Sequence, residues 1–205
     1  MDEEVFFSEL QKDMLKEAFN IGIGSAANAL SKMINQEVVL SVPDVELHSS
    51  EALLDMTVEH DSIVSIVQKI EEPFDGKSIL LFPEESSLEV VRRMLHMEDG
   101  SDVQSLLHEE AVTEIGNIIL NACVGAVSKT LSKEIKMEIP EFSLARQKNL
   151  LEAYELDRKD IMLVINMNMS LQDSDISGYL VFIFGYNALR GLRNAVHDTL
   201  TGFTG

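Results

Sequence analysis

Residues 37–47, EVVLSVPDVEL, and residues 134–144, EIKMEIPEFSL, align without a gap at a separation of 97 positions. A glutamate leads each stretch and a proline stands seventh in each, at Pro43 and Pro140. Moving towards the N-terminus at the same separation, Ser31-Lys32 falls on Ser128-Lys129, Asn20 on Asn117 and Glu17 on Glu114. Moving the other way, residues 76–82 face residues 178–184 at a slightly longer separation. Leu88, Arg92 and His96 lie opposite Leu189, Arg193 and His197. Self-similarity at a fixed spacing marks a duplicated structural unit, so the repeat is read before any fold.

Within the first unit, apolar residues at Leu10, Met14, Ala18, Ile21, Ala29 and Met33 recur at helical spacing and predict a long amphipathic helix over residues 8–33. Ser8 followed by Gln11 fits a capping box at its start. The β-branched alternation of residues 37–42 predicts a strand that stops near Pro43. Residues 63–70 and 77–82 read as strands around a turn at residues 73–76, and residues 83–97 return to helical spacing. Length alone leaves one domain or two small ones open. A unit of this size has only a marginal core by itself, so the two half-repeats, about 8–100 and 105–200, are expected to form one α+β domain with pseudo-two-fold symmetry. The economical arrangement is one sheet with helices packed on it.

The composition is that of a folded protein, 45% hydrophobic and 25% charged. Sixteen basic against thirty-five acidic residues give a formal charge of -19. Such a charge repels a phosphate backbone and an anionic leaflet, which argues against nucleic acid or membrane as a partner. Cys123 has no second cysteine to pair with and sits in an apolar helical stretch, as a small buried hydrophobe would. Residues 1–4, MDEE, lack the basic start of a signal peptide, and no apolar run is read as reaching the roughly 18 residues of a membrane span. A cytoplasmic protein is expected.

On an ideal helix Asp13, Glu17 and Asn20 fall within about 60° of one another, roughly opposite Met14, Ala18 and Ile21. They form one outward polar ridge, on which Gly24 and Ser31 also fall. Glycine inside a helix costs about 1 kcal/mol relative to alanine, so Gly22 and Gly24 need a reason. Close approach of a partner surface is one, and tight packing of Gly22 on the sheet is another. The second helix repeats the ridge with Glu110, Glu114 and Asn117, opposite Val112, Ile115 and Ile119, and Asn121 takes the place of Gly24. One such ridge is an ordinary solvated face. Two in register, each with twenty-two residues between asparagine and proline, are not.

The pattern Asp/Ser-x3-Glu-x2-Asn-x22-Pro resembles the signature of the CheC, CheX and FliY phosphatases. Asp13, Glu17, Asn20 and Pro43 fit it throughout. Glu114, Asn117 and Pro140 fit, but Glu110 stands where the family has Asp or Ser, and Asn121 where a glycine is usual. The similarity extends from about Ser8 to His197. It implies a CheC-like antiparallel sheet packed with two long helices and short helices. It also implies hydrolysis of the phosphoaspartate of a CheY-like receiver domain, with Asn20 or Asn117 holding a water in line and Glu17 and Glu114 pairing with the receiver's lysine. A carboxamide suits that role because it both donates and accepts without changing charge. No cofactor of the chain's own is expected, the Mg2+ arriving on the receiver. The departures rank the first ridge above the second. The acidic net charge is expected to lie away from the ridges or to be offset by the Mg2+, because a receiver's pocket is itself acidic.

Three other signals are weaker. Gly22, Gly24 and Ala27 imitate a dinucleotide fingerprint but lie within a helix, whose amides are already bonded. His108-Glu109 starts like a zinc-protease helix, yet Val112 holds the second histidine's place. The methionines of residues 162–169 read as core filling. Rival functions are a non-catalytic adaptor that sequesters a receiver or binds a CheD-type deamidase, and a FliY-like switch component, whose further domain finds no residues here.

Overall fold

The computed structural model describes residues 7–42, 44–98, 102–157, 160–171 and 174–202. The first long helix, α1, runs Glu9–Ile34, and its capping box is formed by the two residues expected. Gln11 N donates to Ser8 Oγ at 3.3 Å while Ser8 N donates to Gln11 Oε1 at 2.8 Å. The helix ends at Asn35, which adopts φ 52°. After it come β1 (Val38–Ser41), β2 (Val45–Ser49), α2 (Ala52–Met56), β3 (Ser62–Ile70), β4 (Gly76–Pro83) and α3 (Glu84–Met94). The second half repeats the order with α4 (Ser105–Leu131), β5 (Glu141–Arg146), α5 (Leu150–Ala153), β6 (Ile161–Leu171), β7 (Ser174–Phe184) and α6 (Tyr186–Gly202).

The strands form a seven-stranded sheet in the order β1-β6-β7-β4-β3-β5, with β2 also on β6 and every pairing antiparallel. Each half supplies a hairpin, β3–β4 or β6–β7, and the two hairpins meet at the β4–β7 pairing, where Leu80 faces Leu180. The outer strands are exchanged between halves: β1 and β2 of the first bond to β6 of the second, and β5 of the second bonds to β3 of the first. The α+β class and the antiparallel sheet agree with the expectation. The equality of the two strand segments before the prolines does not. Residues 38–41 form a full strand, whereas their counterpart makes a single bridge, Met137 to Ile70, and a strand resumes only at Glu141.

Four helices, α1, α3, α4 and α6, cover one face of the sheet, with Leu15, Phe19, Ile115 and Leu192 packed on Ile66, Leu80, Ile165 and Phe182. The short α2 and α5 cover the other face, where Leu53, Leu150 and Tyr154 close over Ile79, Leu81, Val164 and Val181. Met162, Met167 and Met169 are buried, as the core reading has them. Cys123 is fully buried, and burial pushes its thiol up to about 12, which leaves it without thiolate character.

The apolar stripe of α1 lies elsewhere than its spacing predicts. The buried face is Leu15, Ala18, Phe19, Gly22, Ile23, Ala26, Leu30 and Ile34, while Leu10, Ile21 and Met33 are 63%, 56% and 42% exposed. Two apolar rows run along this helix, and the bulkier Leu15/Phe19/Ile23 row is the one that reaches both α4 and the sheet. The expected stripe is the flank of the polar ridge. A second correction concerns α4, which by length and composition alone is long and apolar enough to cross a membrane. Here Val112, Ile115, Ile119 and Leu120 of that helix are packed into the core.

Gly22 answers to a helix, not to the sheet: a Cβ there would lie 2.7 Å from Cys123 Cα and 2.8 Å from Ala122 O. Both atoms belong to the α4 backbone and cannot swing aside, so α1 can approach α4 this closely at residue 22 because it has no side chain there. Gly22→Ala should therefore destabilise the protein by about 1–3 kcal/mol despite alanine's better helix propensity. Gly24→Ala, at an exposed site with open space around it, should be neutral or stabilising by up to about 1 kcal/mol. Urea unfolding of the two variants side by side checks both signs.

Candidate functional site

On α1 the four ridge residues Asp13, Glu17, Asn20 and Gly24 are all exposed on the face opposite the core. Among the described residues none of the side chains of Asp13, Glu17 and Asn20 has a hydrogen bond or ion pair. A carboxylate and a carboxamide thus stand one turn apart with all their donors and acceptors free. Among the described residues nothing lies within 4 Å of a Cβ built on Gly24, so no contact among them asks for glycine there. Its helix cost is left to be explained by something outside. Towards the start of the ridge a groove of about 410 Å³ is lined by Lys12, Asp13, Lys16, Asp44 and His48 among others, with Lys16 Nζ 3.9 Å from Asp44. Glu9 and Glu46 line it too, so two lysines stand among four carboxylates there.

On α4 the corresponding residues are placed differently. Glu110, Glu114 and Asn121 are exposed, but Asn117 is half-buried and bonded: Asn121 Nδ2 donates to Asn117 Oδ1 at 2.6 Å. Asn121 Oδ1 accepts from Gln68 Nε2 at 3.4 Å, and the same Nε2 donates to Glu138 O at 2.9 Å. These groups, with Glu114, Thr113, Met137, Ile139 and Pro140, line an open groove of about 480 Å³. Pro140 is thus part of the second site's wall. Pro43, its counterpart, lies outside the described residues.

Gln68 is the residue that sequence reasoning passed over. It is only 3% exposed, and its Oε1 has no partner among the described residues. The signal was available: Val64, Ile66 and Ile70 alternate along one face of β3, and Gln68 is the polar residue that interrupts them. The matching hairpin of the second half has no such residue. Gln68 faces Ser78, two residues beyond Gly76, and on the matching hairpin the position facing Leu180, two beyond Gly178, is buried Ile165.

With this geometry in view, two family models match the chain: the CheC-like family over residues 10–47 and the chemotaxis phosphatase CheX over residues 63–166. The second spans half of the chain, and each match contains one ridge with its proline position. The chain belongs to the CheC/CheX/FliY family. It is similar to the CheY-P phosphatase CheC of Bacillus subtilis (strain 168), 27% identical over 141 residues, which are 66% of this chain and 67% of the relative. It is similar as well to the flagellar motor switch phosphatase FliY of the same organism, 28% identical over 197 residues, 92% of this chain but half the length of that protein. Among solved structures, Thermotoga maritima FliY superposes with a TM-score of 0.76 at 18% identity, covering 94% of this chain and 98% of that one. FliM from the FliM-SpeE complex of H. pylori gives 0.72 at 10% identity, with 95% and 98% covered. The CheX-CheY-BeF3-Mg2+ complex of Borrelia burgdorferi gives 0.51 at 18% identity, with 80% and 96% covered. At these identities the structural likenesses establish the shared fold.

In this member of the CheC/CheX/FliY family His108 belongs to the packing. It is 7% exposed, and the Ser87 hydroxyl, donating to Glu84 O at 2.7 Å, receives a bond from His108 Nε2 at 2.9 Å. Its ring stands edge-on to Phe142. Burial holds the imidazole below its ordinary 6.5, with Glu84 opposing the shift and Arg92 adding to it. The unfolded chain therefore binds this proton more readily than the folded one. The stability His108 contributes is whole above pH about 6.5 and falls as the pH drops through that value towards the depressed folded-state value. Urea midpoints measured from pH 8 to pH 5 should decline more for the parent protein than for His108→Gln, which has nothing to titrate there.

Proposed function

We propose that this protein hydrolyses the phosphoaspartate of a CheY-like receiver domain, with the α1 ridge as its principal site. One observation carries the reading: among the described residues Glu17 and Asn20 stand exposed one turn apart without partners, beside a mid-helix glycine that no contact among them requires. A receiver helix or loop laid along the ridge would use the clearance at Gly24. The names of the CheC and FliY relatives and the pairing of a CheX with CheY support the choice of substrate.

In this reading Asn20 Oδ1 accepts a hydrogen from one water and so turns the water's free lone pair towards phosphorus. The water oxygen forms a bond to phosphorus, and the bond from phosphorus to the aspartate oxygen breaks. Its electron pair returns to the aspartate as a carboxylate, and the water's proton passes to solvent or to the released phosphate. An acyl phosphate is already activated, so positioning worth about 10²-fold, or about 2.7 kcal/mol, suffices. Glu17 pairs with the receiver's lysine and sets the register of the amide. The Mg2+ comes with the receiver, in the cytoplasm the two proteins share. Lys12 and Lys16 moderate the acidic field at this end of the molecule. Glu114 and Asn117 offer a second, less complete site.

Single-turnover decay of a phosphorylated receiver tests the assignment. Asn20→Ala should lose most of the acceleration, Asn117→Ala less, and the double variant nearly all of it, about 10²-fold. Gly24→Asn, which places the second ridge's residue on the first, should weaken receiver binding while leaving the fold intact. Full acceleration by the double variant overturns the catalytic assignment. Binding without any acceleration by the parent protein would establish an adaptor instead.

A further inference from the structure

Deepening that reading, we infer that Gln68 is a positioning residue that acts through Asn121 to hold the Asn117 carboxamide donor-outward, so that the second ridge grips a phosphoryl oxygen but turns over slowly. The inference starts from a backbone carbonyl, which can only accept. Glu138 O is pinned against β3, because Glu138 N donates to Lys69 O at 2.9 Å and the Glu138 carboxylate lies 3.0 Å from Lys69 Nζ. Gln68 must therefore present its Nε2 there, and does so at 2.9 Å. The second hydrogen of the same Nε2 points to Asn121, which must answer with Oδ1. Asn121 then has only Nδ2 to offer Asn117, and Asn117 has to receive it on Oδ1, at 2.6 Å.

Each amide fixes the sense of the next, and none can flip without setting two acceptors or two donors against each other. The orphaned Oε1 of Gln68, buried in the groove wall without a partner, marks the cost at which this sense is kept. What Asn117 turns towards the groove is Nδ2, which has no partner among the described residues. An N–H donor suits a phosphoryl oxygen. Turning a water's lone pair towards phosphorus asks instead for a free carbonyl oxygen, and here that oxygen is engaged. Asn20 has no such restraint, since Gly24 and Ile165 hold the positions that correspond to Asn121 and Gln68.

The test uses the full chain with Asn20→Ala, so that only the second ridge reports, and measures kcat and KM for a phosphorylated receiver. Gln68→Leu and Asn121→Ala should each raise kcat by roughly three- to ten-fold, the factor one neutral hydrogen bond is worth, without lowering KM. The two changes together should raise it no further than the better one alone, because both act on the same carboxamide. A change that merely loosened the fold would lower kcat. Asn121 is exposed, so Asn121→Ala serves should Gln68→Leu fail to fold. An unchanged or reduced kcat in Asn121→Ala, or additive gains in the pair, overturns the relay. Failure of the parent reading shows separately, as undiminished acceleration when Asn20→Ala and Asn117→Ala are combined.

Discussion

Because β1 and β2 bond to β6 while Met137 and β5 bond to β3, neither half of the chain can satisfy its own backbone groups without the other. This exchange of outer strands is the constraint on which the rest of the structure depends. A hairpin alone would expose two edges, and a long helix alone would have no sheet to cover. With the strands exchanged, each segment that follows a long helix is carried across to the far hairpin, and the helix itself is drawn over the centre of the sheet. The close fits repeat the symmetry: a Cβ on Gly178 would meet the ring of Phe82, and one on Gly76 the ring of Phe184.

Once both long helices lie on the same face, they must share it, and they meet where Gly22 lets α1 approach the α4 backbone. That contact fixes the rotation of α1 about its axis. With Leu15, Ala18, Phe19 and Ile23 turned inward, the opposite row, Asp13, Glu17, Asn20 and Gly24, has nowhere to point but solvent. The exposure of the candidate site is thus a consequence of packing on its far side, and the direction in which Asn20 points is set by residues that never touch it.

Much of this was legible from the chain alone, and the omissions have physical causes. The duplication follows from self-similarity along the chain, and the capping box at Ser8 and Gln11, the hairpins and the outward sense of the first ridge follow from local pattern. The inner row of α1 did not, because Leu10, Met14, Ile21 and Met33 repeat at helical spacing as well as Leu15, Phe19 and Ile23 do, and only contact with a second helix decides between them. The exchange of strands is a long-range pairing with no local signature. Gln68 was visible as a flaw in the apolar face of β3, but its meaning required Asn121 and Glu138, fifty-three and seventy residues away in sequence, to be brought beside it.

The same contrast explains why two copies of one motif need not remain equal. In the first half, residues 38–41 complete a strand paired with β6. In the second, the chain makes a single bridge at Met137 and pairs with β3 as a strand only from Glu141, and residues 137–140 between them wall the groove beside Asn117. A backbone carbonyl exposed in such a gap needs a donor, and Gln68 provides it. The amide that repairs the sheet is thereby placed within reach of the ridge, and Asn121 passes its orientation on to Asn117. On the proposed relay, the chemistry open to the second asparagine is limited by an interruption in strand pairing that residues 38–41 do not share.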